Sequence, residues 1–209
     1  MTAQIPDRIV FEGSTLSITA ICGGALFDPE SIGIKPVPTN TACWRGFHCV
    51  YSVEEDRIWL SKLTIGIRQS DVKLGKVLIF GKIPEPSSGR ELIRHEKEIG
   101  IYPIDYDVDN IREHIKFSGG ILAGTDFIQE LYVHMGFHPA YKFNHVVELI
   151  FQDGKLLHSH DRSDQARLIR EGLHDMRAAD HPADQIESIE RFIEASFSLD
   201  YGFSRFFRH

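Results

Sequence analysis

Histidine is the first candidate for chemistry, with 11 in this chain of 209 residues. His134 and His138 lie four apart, the spacing that sets two ligands on one face of a helix. Both sit in the string LYVHMGFHP, Leu131 to Pro139. Gly136 and Pro139 oppose a continuous helix there. The residue after His134 is Met135, where a zinc peptidase places its Glu base. A two-histidine site needs a third ligand, and His145, His158 and His160 are the candidates. In a strand, His158 and His160 share one face. With Asp161 they form a string that resembles those of metallohydrolases but lacks their second Asp-His step. One reading is therefore a metal-assisted hydrolase, with zinc held among His134, His138, His158, His160 and Asp161. The plainer reading is histidines that hydrogen-bond their neighbours at a loop-rich surface, with no cofactor.

Carboxylates are the second group. Asp105-Tyr-Asp-Val-Asp-Asn110 has three Asp at alternating positions, as a calcium loop does. An EF-hand then needs Gly at its sixth position and Glu at its twelfth. Those positions hold Asn110 and Lys116, so the match fails. Two other readings stay open: an acidic edge or capped turn, or a contact surface for a basic protein. For the second, Tyr102 and Tyr106 would add contact area at low entropy cost. Glu54, Glu55 and Asp56 form a further acidic turn.

Nucleophile and phosphate motifs do not occur in the sequence: there is no G-x-S-x-G elbow, P-loop or G-x-G-x-x-G. Neighbours on a strand point to opposite faces, so His48 and Cys49 cannot act as base and nucleophile. In Trp44-Arg-Gly-Phe-His48, Trp and Arg have the chemistry for a stacked pair, and Gly46 permits a bulge. The plainer reading is a core Trp beside a structural bulge.

The elements that must position these residues are strands first and helices last. Arg8–Glu12 and Thr15–Thr19 read as short strands, followed by a Gly- and Pro-rich loop to about Asn40. Cys43–Val53 and Arg57–Ile67 read as a hairpin with a longer polar loop. Leu74–Gly81 reads as a strand, Ser88–Glu98 as a capped helix, Asn110–Glu113 as a short helix and Phe127–Met135 as helix. Val146–Phe151, Asp153-Gly154 and Leu156–His160 form a hairpin whose Asp-Gly pair suits a tight turn. Leu168, Ile169, Leu173 and Met176 mark one helical stripe, and Ile186, Ile189, Phe192, Ile193 and Phe197 another. The expected fold is α+β: a mainly antiparallel sheet with hairpins, then two C-terminal helices. A single domain is expected, β-rich over 1–160, helical over 162–199, with an aromatic tail over 200–209.

Composition narrows the function classes. A net charge of −7 makes nucleic acid a poor partner and a basic protein a suitable one. No apolar run reaches the length of a membrane helix. The start at Met1 has no basic stretch followed by an apolar one, so a secretory signal is not expected and a cytoplasmic location is. Three cysteines, with no C-x-x-C pair, point to buried reduced thiols.

Two strings carry a resemblance: WRGFHCVYSVEEDRIWLSKL (Trp44–Leu63) and LYVHMGFHPAYKFNHVVELIFQDGKL (Leu131–Leu156). They resemble the W-R-G-[YF] and Y-V-H-M-G motifs of an uncharacterised bacterial family, whose members are similar to immunity proteins of polymorphic toxins. The match covers well under half of the chain and stops before the C-terminal helices. Cys49 replaces the usual Ala after the first motif, with His48 before it. The resemblance implies a cytosolic, non-catalytic protein that binds a cognate toxin domain and occludes its active site. It carries over no catalytic residue. The expected partner surface is Asp105, Tyr106, Asp107, Asp109, Glu54, Glu55 and Asp56.

Overall fold

Three hairpins turn on two consecutive residues with left-handed backbone: Glu12-Gly13 (φ 48° and 76°), Glu55-Asp56 (50° and 58°) and Asp153-Gly154 (47° and 77°). Such pairs twist in the sense that the flanking strands require, so each joins two strands without splaying them. The computed structural model describes residues 2–73, 77–87 and 103–178. Its strands are β1 (Arg8–Phe11), β2 (Ser14–Cys22), β3 (Phe47–Glu54), β4 (Arg57–Arg68), β5 (Glu85–Pro86), β6 (Pro103–Val108), β7 (Glu113–His114), β8 (Gly119–Phe127), β9 (Phe143–Gln152) and β10 (Lys155–Asp161). Among the described residues, two α-helices accompany them, α1 (Gln69–Lys73) and α2 (Ser163–Ala178).

The strands form one sheet in the order β10-β9-β8-β2-β1-β3-β4-β6-β5, with β7 also on β4. β1 and β3 run parallel and the other neighbours antiparallel. The fold is α+β, as the residue pattern predicts. One further pairing, Lys155 of β10 with Arg57 of β4, brings the sheet back on itself. The sheet therefore curls around a core that includes Ile9, Ile18, Tyr51, Leu60, Leu63, Ile121 and Leu149, each less than 9% exposed. The outer face of β8 and β9 is also covered. There α2 packs Ala166 and Ile169 on Leu122, Phe143 and Val146. Asp161 accepts the Ser163 N–H at 2.8 Å, a capping bond that starts the helix.

Glycine at position 124 has a packing reason. A Cβ there would lie 2.6 Å from Cγ of Phe143, so only a bare backbone lets that ring lie against β8.

Several local expectations give way to tertiary pairing. The β3–β4 loop is two residues long, because Glu54 pairs directly with Arg57. Asn110–Glu113 is not helical: Asn110 has φ 56°, and Glu113-His114 pairs with Trp59-Leu60. Ile111 and Ile115 are four apart, yet both reach the core from extended chain. Phe127–Met135 is not a helix either. Phe127 ends β8 opposite Phe143, and a 3-10 turn at Gln129–Leu131 leads into an open loop. Over Val77–Gly81 there is only a bridge, Ile79 to Lys82, around Phe80-Gly81. Leu168 points outward, 54% exposed, while Ile169 is buried. The helix expected over Ser88–Glu98, the second C-terminal stripe and the aromatic tail lie outside the described residues. Among the described residues, no helix is long and apolar enough to cross a membrane.

Candidate functional site

Arg45 joins two segments that lie far apart in sequence. Its guanidinium sits 4.9 Å from the centroid of the Phe47 ring and 5.8 Å from that of Phe137. Both distances are within cation–π reach. From behind, Asp7 holds it with two hydrogen bonds, at 2.8 and 3.1 Å. Asp7 is 9% exposed and also accepts the Cys49 N–H at 2.7 Å. One buried carboxylate thus fixes both the cation and the start of β3.

The chain around Arg45 explains why its neighbours face out. Cys43–Gly46 is a turn closed by the Gly46 N–H on the Cys43 carbonyl, and Gly46 has φ 74°. Trp44, on that turn, is 57% exposed. The expected core Trp is thus a surface Trp, and Arg45 stacks on Phe47 and Phe137 instead of on Trp44. The N-terminal segment ties the two loops together. Gln4 accepts the Trp44 N–H through its side chain and donates its own N–H to the Gly136 carbonyl. Tyr132, Val133, Met135 and Phe137, in the loop so joined, are each roughly half exposed. Large apolar groups clustered on a surface mark a contact site. The sequence reading missed Asp7 and Gln4, because nothing in the pattern near the N-terminus marks either residue.

Tyr132 anchors the loop inward on one side. Its hydroxyl lies 3.0 Å from Nδ1 of His134, and its ring lies 5.2 Å from that of His138. His138 in turn packs 4.8 Å from Phe127. The two loop histidines serve this aromatic cluster.

The structure divides the five residues of the metal reading among separate places. His134 is exposed on the loop and His138 lies beneath it. His158 and His160 do share one face of β10, their rings stacked at 6.0 Å. Asp161 alternates to the opposite face, where it lines a cleft of about 440 Å³ with His145 and Ser159. Among the described residues, no three His, Cys, Asp or Glu side chains are grouped to hold a metal ion. Cys22, Cys43 and Cys49 are unpaired thiols. Cys43 and Cys49 are buried, and burial raises the pKa of both.

The acidic candidates need a larger correction. Along β6, Ile104, Tyr106 and Val108 point into the core and the Asp residues point out. Tyr106 is 2% exposed, so it presents nothing to a partner. The alternation was visible in the residues, and the flanking Asp obscured it. Asp105 accepts a hydrogen bond from Thr39. Asp107 accepts one from Thr64 at 2.6 Å, and Lys62 lies 3.2 Å from Asp107 and 3.0 Å from Asp109. One ammonium, Lys62, is thus shared by two of the three carboxylates, and the threonines hold Asp105 and Asp107 without adding charge. Glu54 accepts from Ser52, while Glu55 and Asp56 stand exposed at the hairpin tip.

Asp107 makes the strip acid-sensitive. Burial raises its pKa, but hydrogen bonds from Thr64 and Lys62 outweigh that and leave it below its ordinary value. A carboxylate with a depressed folded pKa stabilises above its unfolded value, near 4. That contribution disappears as pH falls through the folded value. Urea midpoints measured across pH should therefore show a steeper acid loss in the native chain than in Asp107→Asn. Parallel profiles would contradict the assignment.

Comparison with family models, curated proteins and solved structures finds no match for this chain.

Proposed function

We propose that this chain is a binding protein of the immunity type, which docks on a cognate toxin domain and covers its active site. The observation that supports this most directly is the meeting of the Trp44-Arg-Gly-Phe47 and Tyr132–Phe137 segments in one exposed face around Arg45. These are the two strings that carry the family resemblance. Aromatic and Arg side chains on a rigid support are what protein interfaces use as anchors. The negative net charge favours encounter with a basic partner. In this reading the hairpin tip at Glu55-Asp56 steers from a distance, and Trp44, Met135 and Phe137 provide the contact. Catalysis by the chain itself is not part of the reading.

Co-expression with the product of a toxin-like reading frame next to its gene tests the reading. The expected result is restored growth and a complex that survives size-exclusion chromatography. Undiminished toxicity, with the two proteins eluting apart, would refute it.

A further inference from the structure

The inward-facing rows of the sheet run on past the core at one end of the curl. Asp161 pairs with Val147, Ser159 with Leu149 and Thr125 with His145, and paired residues share a face. Val147 and Leu149 belong to the core side, so Asp161, Ser159, Thr125 and His145 point the same way. In the β1–β2 hairpin, Ile9 and Leu16 lie in the core, and Phe11 and Ser14 continue their rows. These side chains line the cleft of about 440 Å³, which is thus the mouth of the curled sheet. Ligand sites commonly have this volume, and the mouths of closed sheets are a favoured place for them.

The lining is apolar on one side and polar on the other. Phe11, Leu16 and Val147 supply the apolar part. Ser14, Thr125 and Ser159 supply hydroxyl oxygens, and Glu12 stands at the rim on its turn. Among the described residues that line the cleft, the carboxylates of Glu12 and Asp161 stand against one imidazole, His145, with no Lys or Arg. The hydroxyl and the N–H of Ser163 both donate to Asp161, and with His145 nearby they hold its pKa below the ordinary carboxylate value. An anion entering the mouth would meet repulsion. A wholly apolar guest would strip water from the carboxylates and give nothing back. An ammonium has three donors and no acceptor, which carboxylate and hydroxyl oxygens match.

We propose that the mouth of the curled sheet binds a primary ammonium carried on a short apolar body. Asp161 is its counter-ion, the hydroxyls of Ser14, Thr125 and Ser159 accept its remaining protons, and the body lies against Phe11, Leu16 and Val147. The ammonium belongs either to a free small amine or to a lysine side chain of another protein. The proposal rests on the cleft alone, and failure of the toxin-binding reading leaves it standing.

The test is an NMR titration of the full ¹⁵N-labelled chain, following the backbone amides of Thr125, His145, Ser159 and Asp161. Four probes are compared: benzylammonium, benzyl alcohol, N-acetyl-lysine methylamide, and the same lysine acetylated on its ε-nitrogen. The expected result is a saturable shift of these amides by at least one of the ammonium probes. Its neutral counterpart should bind about tenfold more weakly, because charge-assisted bonds are roughly twice as strong as neutral ones. Preference for benzylammonium points to a free amine, and preference for the lysine derivative points to a protein side chain. Asp161→Asn keeps an oxygen that can accept from Ser163, so the start of α2 should survive. That variant should cost the ammonium about tenfold in affinity and leave benzyl alcohol unchanged. If it does not fold, the ammonium-to-alcohol ratio in the native chain decides. Absence of a saturable shift, equal affinity for benzylammonium and benzyl alcohol, or an Asp161→Asn chain that folds and binds the ammonium as well as the native one, overturns the proposal.

Discussion

Asp7→Ala is expected to lower the folding free energy by about 3 kcal/mol, the lower end of the range for breaking a buried ion pair. The lower end applies because the Arg45 side chain is 37% exposed, so water compensates part of the lost charge. Two hydrogen bonds to Arg45 go, and the buried Cys49 N–H loses its acceptor. The unpaired amide adds its own desolvation cost. Asp7→Asn should fall between the two, since an amide oxygen still accepts from Cys49. Urea unfolding measures this directly, and a midpoint unchanged in Asp7→Ala would show that Arg45 is held by other means. Asp7→Ala should also weaken partner binding beyond its effect on stability, because the freed guanidinium no longer orders the Phe47 and Phe137 rings.

The second large effect concerns recognition. Trp44→Ala combined with Phe137→Ala should weaken toxin binding by about 100-fold or more, as loss of two interface anchors does. Stability should change little. Trp44 and Phe137 are each at least half exposed, and such positions usually contribute within about 0.5 kcal/mol. The Arg45–Phe137 stack adds a comparable small amount. Titration calorimetry gives the affinity, and thermal melts give the stability. An unchanged affinity would move the interface elsewhere, with the hairpin tip at Glu55-Asp56 the next place to look. A large stability loss instead would make the face a structural feature.

The two variants separate roles that the structure places side by side. Asp7 acts from behind as a positioning residue, while Trp44 and Phe137 are free to touch a partner. The contrast depends on burial: removing a buried acceptor strands its donors, whereas removing an exposed ring strands nothing.

Local physics was legible in the residues. Asp153-Gly154 announces its hairpin because its backbone preference is intrinsic, and the turn forms whatever surrounds it. The helix over Ser163–Ala178 matches the helical spacing of Leu168, Ile169, Leu173 and Met176, although Leu168 itself faces out. The α+β class follows from strands that precede helices. Mistakes came where apolar spacing fitted two structures. Phe127 and Leu131 have helical spacing, yet Phe127 belongs to β8 because Phe143 waits opposite it. The short helix expected over Asn110–Glu113 is instead extended chain, whose Glu113-His114 pairs with β4.

The candidate site was half legible. The strings around Trp44 and Tyr132 stood out by residue type, and each lies where its own turn exposes it. That they share one face was decided by tertiary structure alone. The N-terminal segment bridges them through Gln4, and Asp7 orients the cation between them. Contacts across such sequence separations leave no period in the sequence, since they depend on the order in which strands pair. Sequence by itself determined the turns, the fold class and the supply of aromatic and charged groups, because those depend on neighbours in the chain. Only the curled sheet decided which of them meet, because burial and pairing are settled by residues far away along the chain.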